Sequence, residues 1–360
     1  MKIVTIVGAR PQFVKAAAVS RILRKTHEEV LVHTGQHYDR NMSEIFFDEL
    51  NIPKPDINLR VGSGTHAKQT AEMLIGIENI LLKEKPDYIL VYGDTNSTLA
   101  GALAASKINV PVIHVEAGLR SYNMKMPEEQ NRVLTDRISS LLLCPTSTAV
   151  DNLKKEGIVS GVYNIGDVMC DAVLYYSKML DERPKEYYFS RLTGLDKAVP
   201  LLKDWYIATV HRAENTDMVE KVGEILRAFD LLDAPVIFPV HPRTKDFVNT
   251  LRMNNFYDNI FFVEPVSYLD MLYLVKGAKK AITDSGGLQK EAYILNTPCV
   301  TIRDQTEWIE TLTGNHNILA KPKADDIVDK VMYTVIDEKK SNLYYGNGKA
   351  AEKLCEILYS

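Results

Sequence analysis

The chain has 360 residues, with 43 Lys and Arg against 47 Asp and Glu, and 46% of it is hydrophobic. A net charge of −4 excludes a general nucleic-acid binder, which needs surplus cations to displace phosphate counterions; the apolar content excludes disorder, and at roughly 100–200 residues per domain two domains are expected. The cysteines Cys144, Cys170, Cys299 and Cys355 are scattered with no C-x-x-C pair, which excludes a zinc ribbon, argues against a disulfide scaffold and suits a reducing cytoplasm.

The opening MKIVTIVGAR has a short apolar run and then Arg10. An export signal needs a longer apolar region and a small-residue cleavage site, so this run is expected to be a buried first strand, Ile3–Val7. No run approaches the ~18 apolar residues of a membrane-spanning helix, and neither a membrane nor a nucleic-acid partner is expected. Gly8 ends the strand, and Pro11 suits the first turn of a helix, where its missing N–H costs nothing. Helix Gln12–Arg24 follows, then strand Val30–His33, a helix near Met42–Leu50, a polar loop around Gly62–Thr65 and helix Ala67–Lys83. Strand Tyr88–Tyr92 leads through Gly93-Asp94-Thr95 into helix Thr98–Ser106. Strand Val112–Val115 ends at Glu116, a helix covers roughly Glu128–Ser139, and Leu141–Cys144 is another strand. After about residue 166 a second series begins, with strands Tyr206–Val210, Val236–Val240, Ile260–Val263, Ala281–Thr283 and Cys299–Ile302. Apolar strands alternating with helices predict parallel sheets covered on both faces. Two such series predict two Rossmann-like, doubly wound domains, 1–166 and 167–341, with a last helix near 342–360 packing back on the first.

Polar residues collect just after the predicted strands: GARPQFVK from Gly8, GDTNS from Gly93, EAGLR from Glu116, HRAEN from His211, HPR from His241 and TDSGG from Thr283. Any one of these alone reads as a turn with a helix cap. In a doubly wound fold all of them line one edge, where ligands bind, so a shared site is expected. Asp284-Ser285-Gly286-Gly287 is the strongest phosphate candidate. Its glycines let backbone N–H groups approach an anion, and the following helix presents its positive end. Glu291, a turn further on, suits a ribose diol. Cations at a helix start oppose the dipole, so Arg10 and Lys15 are better explained by an anionic partner than as solvated charges. G-x-G-x-x-G after a strand and G-x-x-x-x-G-K-[ST] are both missing, which lowers the case for NAD chemistry and P-loop hydrolysis.

Asp94 and Glu116 each end an apolar strand, where desolvation and mutual repulsion could tune a carboxyl for proton transfer. Glu128 and Arg132, four apart, share a helix face and alone read as an ordinary ion pair; Glu129 is on another face and is the weaker candidate. His33 and His37 lack carboxylate partners at zinc spacing, so no metal is expected. His114 reads as a satisfied core histidine or one that supports a site residue from behind, His241-Pro-Arg243 as either a turn or a site contact, and Trp308 as packing.

Taken together, GARPQFVK, HTGQH, YGDTNST, HVEAGLRS, MPEEQNR, HRAEN, TDSGGLQKEA and RDQTEW, in order from residue 8 to residue 308, resemble the non-hydrolysing UDP-N-acetylglucosamine 2-epimerase family over essentially the whole chain. The resemblance implies a GT-B-like architecture with a ligand cleft between two Rossmann-like domains, usually in a homodimer. It implies reversible inversion at C2 of a UDP-2-acetamido sugar by anti-elimination of UDP to a 2-acetamidoglycal and re-addition, without metal or nicotinamide cofactor. By motif, Ser285, Gly286 and Gly287 would hold the diphosphate and Glu291 the ribose, with Arg303 also on the nucleotide. Arg10, Lys15 and His211 would neutralise the departing phosphate, and Asp94, Glu116 and Glu128 would be the acid–base candidates, with Arg132 beside them. Where the family usually has G-T-R-P-E and T-E-R-P-E, this chain has Gly8-Ala9-Arg10-Pro11-Gln12 and Thr306-Glu307-Trp308-Ile309-Glu310, and Asn123-Met124-Lys125-Met126 replaces the usual aromatic-proline lead into P-E-E. These variants resemble the branch acting on UDP-2,3-diacetamido-2,3-dideoxyglucuronate, used in surface polysaccharide synthesis. A GT-B glycosyltransferase using a UDP-sugar donor, a hydrolysing relative and a non-catalytic sugar-nucleotide sensor are the competing readings.

Overall fold

The structure, a computed structural model, describes residues 1–35, 50, 52–336 and 344–359, and of Arg10, Met253 and Asn254 only the backbone. The predicted helix near Met42–Leu50 and the residue His37 therefore lie outside the described residues, apart from Leu50. The chain divides into two compact units, Met1–Ala172 with Leu343–Ser360, and Val173–Asn342.

In the first unit, strands β1 (Lys2–Val7), β2 (Glu28–His33), β3 (Ile57–Asn58), β4 (Tyr88–Tyr92), β5 (Val112–Val115), β6 (Leu141–Cys144) and β7 (Val162–Asn164) form one sheet. Their order is β3-β2-β1-β4-β5-β6-β7, and every pairing is parallel. Ile3, Val4, Ile6 and Val7 are all fully buried, which is why β1 is apolar on both faces rather than alternating. On one face Val4 and Ile6 join Val32, Ile89 and Val91 against the helices His66–Glu84 and Asn96–Lys107. The second helix can lie close to the sheet because its buried face is Ala100, Gly101, Ala104 and Ala105. A Cβ on Gly101 would stand 3.1 Å from Val91 Cγ1. Helix Ala350–Tyr359 packs on helix Arg10–Leu23.

The second unit repeats the scheme with β8 (Tyr206–Thr209), β9 (Val236–Pro239), β10 (Ile260–Val263), β11 (Ala281–Thr283), β12 (Cys299–Ile302) and β13 (Asn317–Ala320), in the all-parallel order β10-β9-β8-β11-β12-β13. Tyr206, Ala208 and Phe238 face helices Val219–Asp230 and Ala324–Tyr333, while Ile207, Ile237 and Cys299 face helices Tyr268–Gly277 and Gly286–Ile294. A fully buried Val, Leu or Ile contributes roughly 1.5–3 kcal/mol, so both sheets are held chiefly by these apolar layers.

Each sheet has the Rossmann order, with one place where the winding reverses: between β1 and β4 in the first, and between β8 and β11 in the second. Loops leaving the carboxyl ends of the strands at such a switch point splay apart, and ligands bind there. β3, β7 and β13 are not among the strands expected from the sequence. β3 has two residues and β7 three, the latter half-buried to exposed, so neither leaves an apolar run. The stretch 172–203 combines the end of helix Val168–Leu180, the helix Lys185–Ser190 and loop, in keeping with its charged and less regular sequence.

Candidate active site

At the switch point of the first sheet, β1 runs through Gly8 and Ala9 into helix Arg10–Leu23, with Pro11 in its first turn. The Arg10 side chain lies outside the described residues. Gln12 is buried and joins the two loops that flank the switch: its Oε1 accepts from Gly8 N–H at 2.8 Å and Ala9 N–H at 3.0 Å, and its Nε2 donates to the Tyr92 carbonyl at 2.8 Å. One turn further on, Lys15 forms an ion pair with Glu116, and both are buried. Glu116 adopts a left-handed backbone, φ 74°, which a residue with a Cβ holds at a cost of about 1–3 kcal/mol. Gly93 (φ +63°) lies against this pair; a Cβ there would stand 3.1 Å from Glu116 Oε2 and 3.4 Å from Lys15 Nζ.

Asp94 follows and accepts from Arg132 Nη2 at 2.6 Å. Arg132 also reaches Glu129, at 2.8 Å from Nη1. Glu129 is almost fully buried and in addition accepts from Ser121 N–H at 2.9 Å, the Ser121 hydroxyl at 3.0 Å and Tyr122 N–H at 2.8 Å. Burial pushes the Glu129 carboxyl up, but these hydrogen bonds outweigh it and hold it below the ordinary range.

Two expectations are corrected here. Asp94 and Glu116, expected to repel each other, are each accompanied by a counter-charge, Arg132 and Lys15 respectively. The ion pair expected between Glu128 and Arg132 at i,i+4 is instead made by Glu129 at i,i+3, while Glu128 is exposed at the helix start. Asp94, Glu116, Lys15 and Arg132 thus gather at one edge. His33, read beside His37, instead accepts from Gly35 N–H through Nδ1 at 2.6 Å.

In the second unit, β8 leads through Val210 into His211 and Arg212, and β11 leads into Asp284. Asp284 is fully buried and accepts from His211 N–H (3.1 Å), Arg212 N–H (2.9 Å) and Asn215 Nδ2 (3.1 Å). Asp284, part of the glycine turn in sequence, thereby binds the two loops of this switch point together. Ser285 caps helix Gly286–Ile294 by accepting from Leu288 N–H at 3.3 Å. A Cβ on Gly286 would meet the carboxylate end of Glu307, Oε1, at 2.7 Å, so a side chain there has to displace it. At Gly287 the same atom would have only Ser285 Oγ, at 3.8 Å. Glu291 lies on the same helix and is buried. Arg303, just after β12, holds Glu307 at 2.9 Å. The Lys290 ammonium stands 3.8 Å above the Trp308 ring, so Trp308 is more than packing: it stacks on a buried cation, an attraction of roughly 0.5–2 kcal/mol. His241 caps its own helix, accepting from Arg243 N–H at 3.1 Å, and its ring lies 5.2 Å from that of His211.

Burial, together with Arg212 and Arg243, pulls the His211 ring below its ordinary value of 6.5 despite Asp284. The free imidazole therefore takes up a proton less readily than an ordinary histidine. Among the described residues no three His, Cys, Asp or Glu side chains are placed to hold a metal ion, and no helix is long and apolar enough to cross a membrane.

Two Rossmann-like, all-parallel units, each with strand-end loops gathered at a switch point, make the GT-B-like architecture found in sugar-nucleotide enzymes. A family model described as UDP-N-acetylglucosamine 2-epimerase matches residues 21–359. A UDP-N-acetylglucosamine 2-epimerase homolog from Methanococcus maripaludis is 52% identical over 362 residues, covering 99% of both chains. The UDP-2,3-diacetamido-2,3-dideoxy-D-glucuronate 2-epimerase of Pseudomonas aeruginosa is 46% identical, again over 99% of both chains. The crystal structure of Methanocaldococcus jannaschii UDP-GlcNAc 2-epimerase, in complex with UDP-GlcNAc and UDP, superposes with a TM-score of 0.88 at 42% identity, covering 100% of this chain and 99% of that one. The chain belongs to the UDP-N-acetylglucosamine 2-epimerase family, isomerases that act on carbohydrates.

Proposed function

We propose that the protein catalyses reversible inversion at C2 of a UDP-2-acetamido sugar. The observation that carries this reading is the set of two carboxylates, Asp94 and Glu116, at the first switch point, each beside its own cation. The C2 hydrogen has no neighbouring carbonyl to acidify it, so the C1–O bond must loosen early. A carboxylate then takes the C2 proton while the C1–O electron pair leaves with UDP, and C1=C2 forms. A carboxyl returns a proton to the other face, and the UDP oxygen rebonds to C1. Asp94, Glu116 and Glu128 are the acid–base groups, with Arg132 orienting Asp94; such groups contribute roughly 10²–10⁴-fold each. Ser285, Gly286 and Gly287 take the diphosphate on the helix tip, with Arg10, Lys15 and His211 facing the developing phosphate charge. Glu291 holds the ribose and Arg303 the nucleotide.

Glycosyl transfer, the second reading, has no comparable support in the family to which the chain belongs. The substrate is UDP-N-acetylglucosamine or its 2,3-diacetamido uronate counterpart, the two chemistries named among the relatives. The test is to supply each separately in D₂O and follow C2 by NMR. Deuterium at C2 of both epimers is expected; epimers free of label would rule the elimination route out. We further propose a cytoplasmic homodimer. The four described cysteines are buried free thiols, as a reducing compartment allows, and light scattering giving a monomer mass would refute the dimer.

A further inference from the structure

His114 stands at the third position of β5 and is fully buried. A buried imidazole needs partners for both ring nitrogens. Nδ1 lies 2.7 Å from Asp136 Oδ1, and Nε2 lies 2.7 Å from the Gly93 carbonyl oxygen. A carbonyl oxygen only accepts, so Nε2 carries a proton and donates it. Asp136 is fixed in turn by Arg120 Nη1 at 2.7 Å and Gly118 N–H at 3.1 Å, and Arg120 is clamped by Glu156 at 2.6 and 2.9 Å. Burial pushes the Asp136 carboxyl up, yet His114 and Arg120 outweigh it and keep it below the ordinary range. An ionised, buried carboxylate thus orients the ring and aims Nε2 at one carbonyl. Histidines that ligate metals are oriented by the same kind of outer partner; here the ring's target is a peptide.

That peptide is the hinge of the site. Gly93 separates β4 from Asp94, has φ +63° and donates its own N–H to the Val115 carbonyl at 3.0 Å. Its α-carbon lies beside the Lys15–Glu116 pair, and Asp94 continues directly from its carbonyl. The geometry points to His114 as a positioning residue for the C2 chemistry: by gripping the Gly93 carbonyl it sets the direction in which Asp94 leaves the strand and the surface against which Glu116 rests. This rests on the reading of Asp94 and Glu116 as acid–base groups. A displacement of the order of 1 Å at reacting groups costs about 100-fold in rate, so a slackened Gly93 peptide is felt in turnover rather than in substrate affinity.

Two amide substitutions separate this role from simple packing. In His114→Gln the side-chain amide nitrogen reaches as far as Nε2 and can still donate to Gly93. In His114→Asn it matches the reach of Nδ1, keeping Asp136 but releasing Gly93. The expected result is kcat within about threefold of wild type for the Gln variant and about 10- to 100-fold lower for the Asn variant, with KM and UDP affinity within twofold for both. Wild-type kcat in the Asn variant, the opposite order of the two, or an equal loss that tracks a lowered Tm would overturn the inference. The Asn variant, when it keeps the wild-type Tm, decides by itself. Asp94→Asn and Glu116→Gln are the controls. If they keep full turnover, the acid–base reading fails and takes this inference with it. If they lose turnover while His114→Asn keeps it, only this inference fails.

Discussion

Arg132 is surrounded by carboxylates that do different work. Glu128 and Glu129 are adjacent in sequence, yet one is exposed and the other is nearly sealed beneath Ser121 and Tyr122. Every group facing Glu129 in those bonds is a donor, so an amide in its place must turn an N–H toward another donor. Glu129→Gln is therefore expected to lose about 2–4 kcal/mol in denaturant unfolding and to lower kcat by letting Arg132 drift from Asp94. Glu128→Gln should leave stability within about 0.5 kcal/mol and act on turnover alone. Equal stability of the two variants would contradict this division. The low-lying Glu129 and Asp136 carboxyls also set the acid side of stability. Their contribution is complete above the unfolded carboxyl range and is lost as pH falls through the folded values. His211 has the opposite sign toward its ligand. Its ring is held below 6.5 when the protein is free, and a bound diphosphate favours the charged form. UDP should bind more tightly as pH falls from about 7.5 toward the His range, with proton uptake seen as a buffer-dependent enthalpy in calorimetry. His211→Gln should remove both effects.

At the scale of the element, helix Gly286–Ile294 is the part most open to a single-atom test. Ser285 caps it and both glycines lie in its first turn, but their surroundings differ. Gly286→Ala pushes a methyl group onto Glu307 Oε1, a movable carboxylate end held by Arg303. The helix should survive while UDP affinity falls roughly tenfold, about 1.4 kcal/mol. Gly287→Ala meets open space; the free protein should keep or slightly raise its Tm, by up to about 1 kcal/mol of stability, while UDP loses its approach to the backbone. If both variants bind UDP as wild type does, the helix tip is not the diphosphate site. The strand-end loops follow the same logic. Asp284 and Gln12 each tie together the two loops of a switch point, one by accepting from backbone N–H groups and the other through both ends of its amide. The periodic pattern of apolar residues reveals the strands and helices on either side of such a residue; it carries no mark of the tie itself.

Across the molecule, the C-terminal unit is assigned the nucleotide and the N-terminal unit the proton transfers, so damage to them should separate. Asp94→Asn and Glu116→Gln should retain UDP affinity and lose C2 deuterium exchange, whereas Ser285→Ala should weaken UDP first. Loss of UDP affinity in the carboxylate variants would break the assignment. The thiols give an independent check on the packing. Burial pushes Cys144 and Cys299 up to about 12, and Cys170 and Cys355 are buried as well. Thiolate is the reactive form, so a disulfide reagent should label the native protein slowly and all four sites only after unfolding.

Strand and helix periodicity, the glycine-opened turn after β11, the ordered motifs and the class of chemistry they imply are all readable along the chain, because each depends on residues within a few positions of one another. The order of strands in each sheet, and with it which loops share a switch point, depends on long-range packing. The same holds for the pairings Lys15–Glu116 and Asp94–Arg132, the burial of Glu129 beside an exposed Glu128, the lowered His211 ring, and the contact of His114 with the Gly93 carbonyl. Whether a carboxylate meets a cation or water is decided by neighbours tens of residues away in sequence, and only the folded chain brings them within reach.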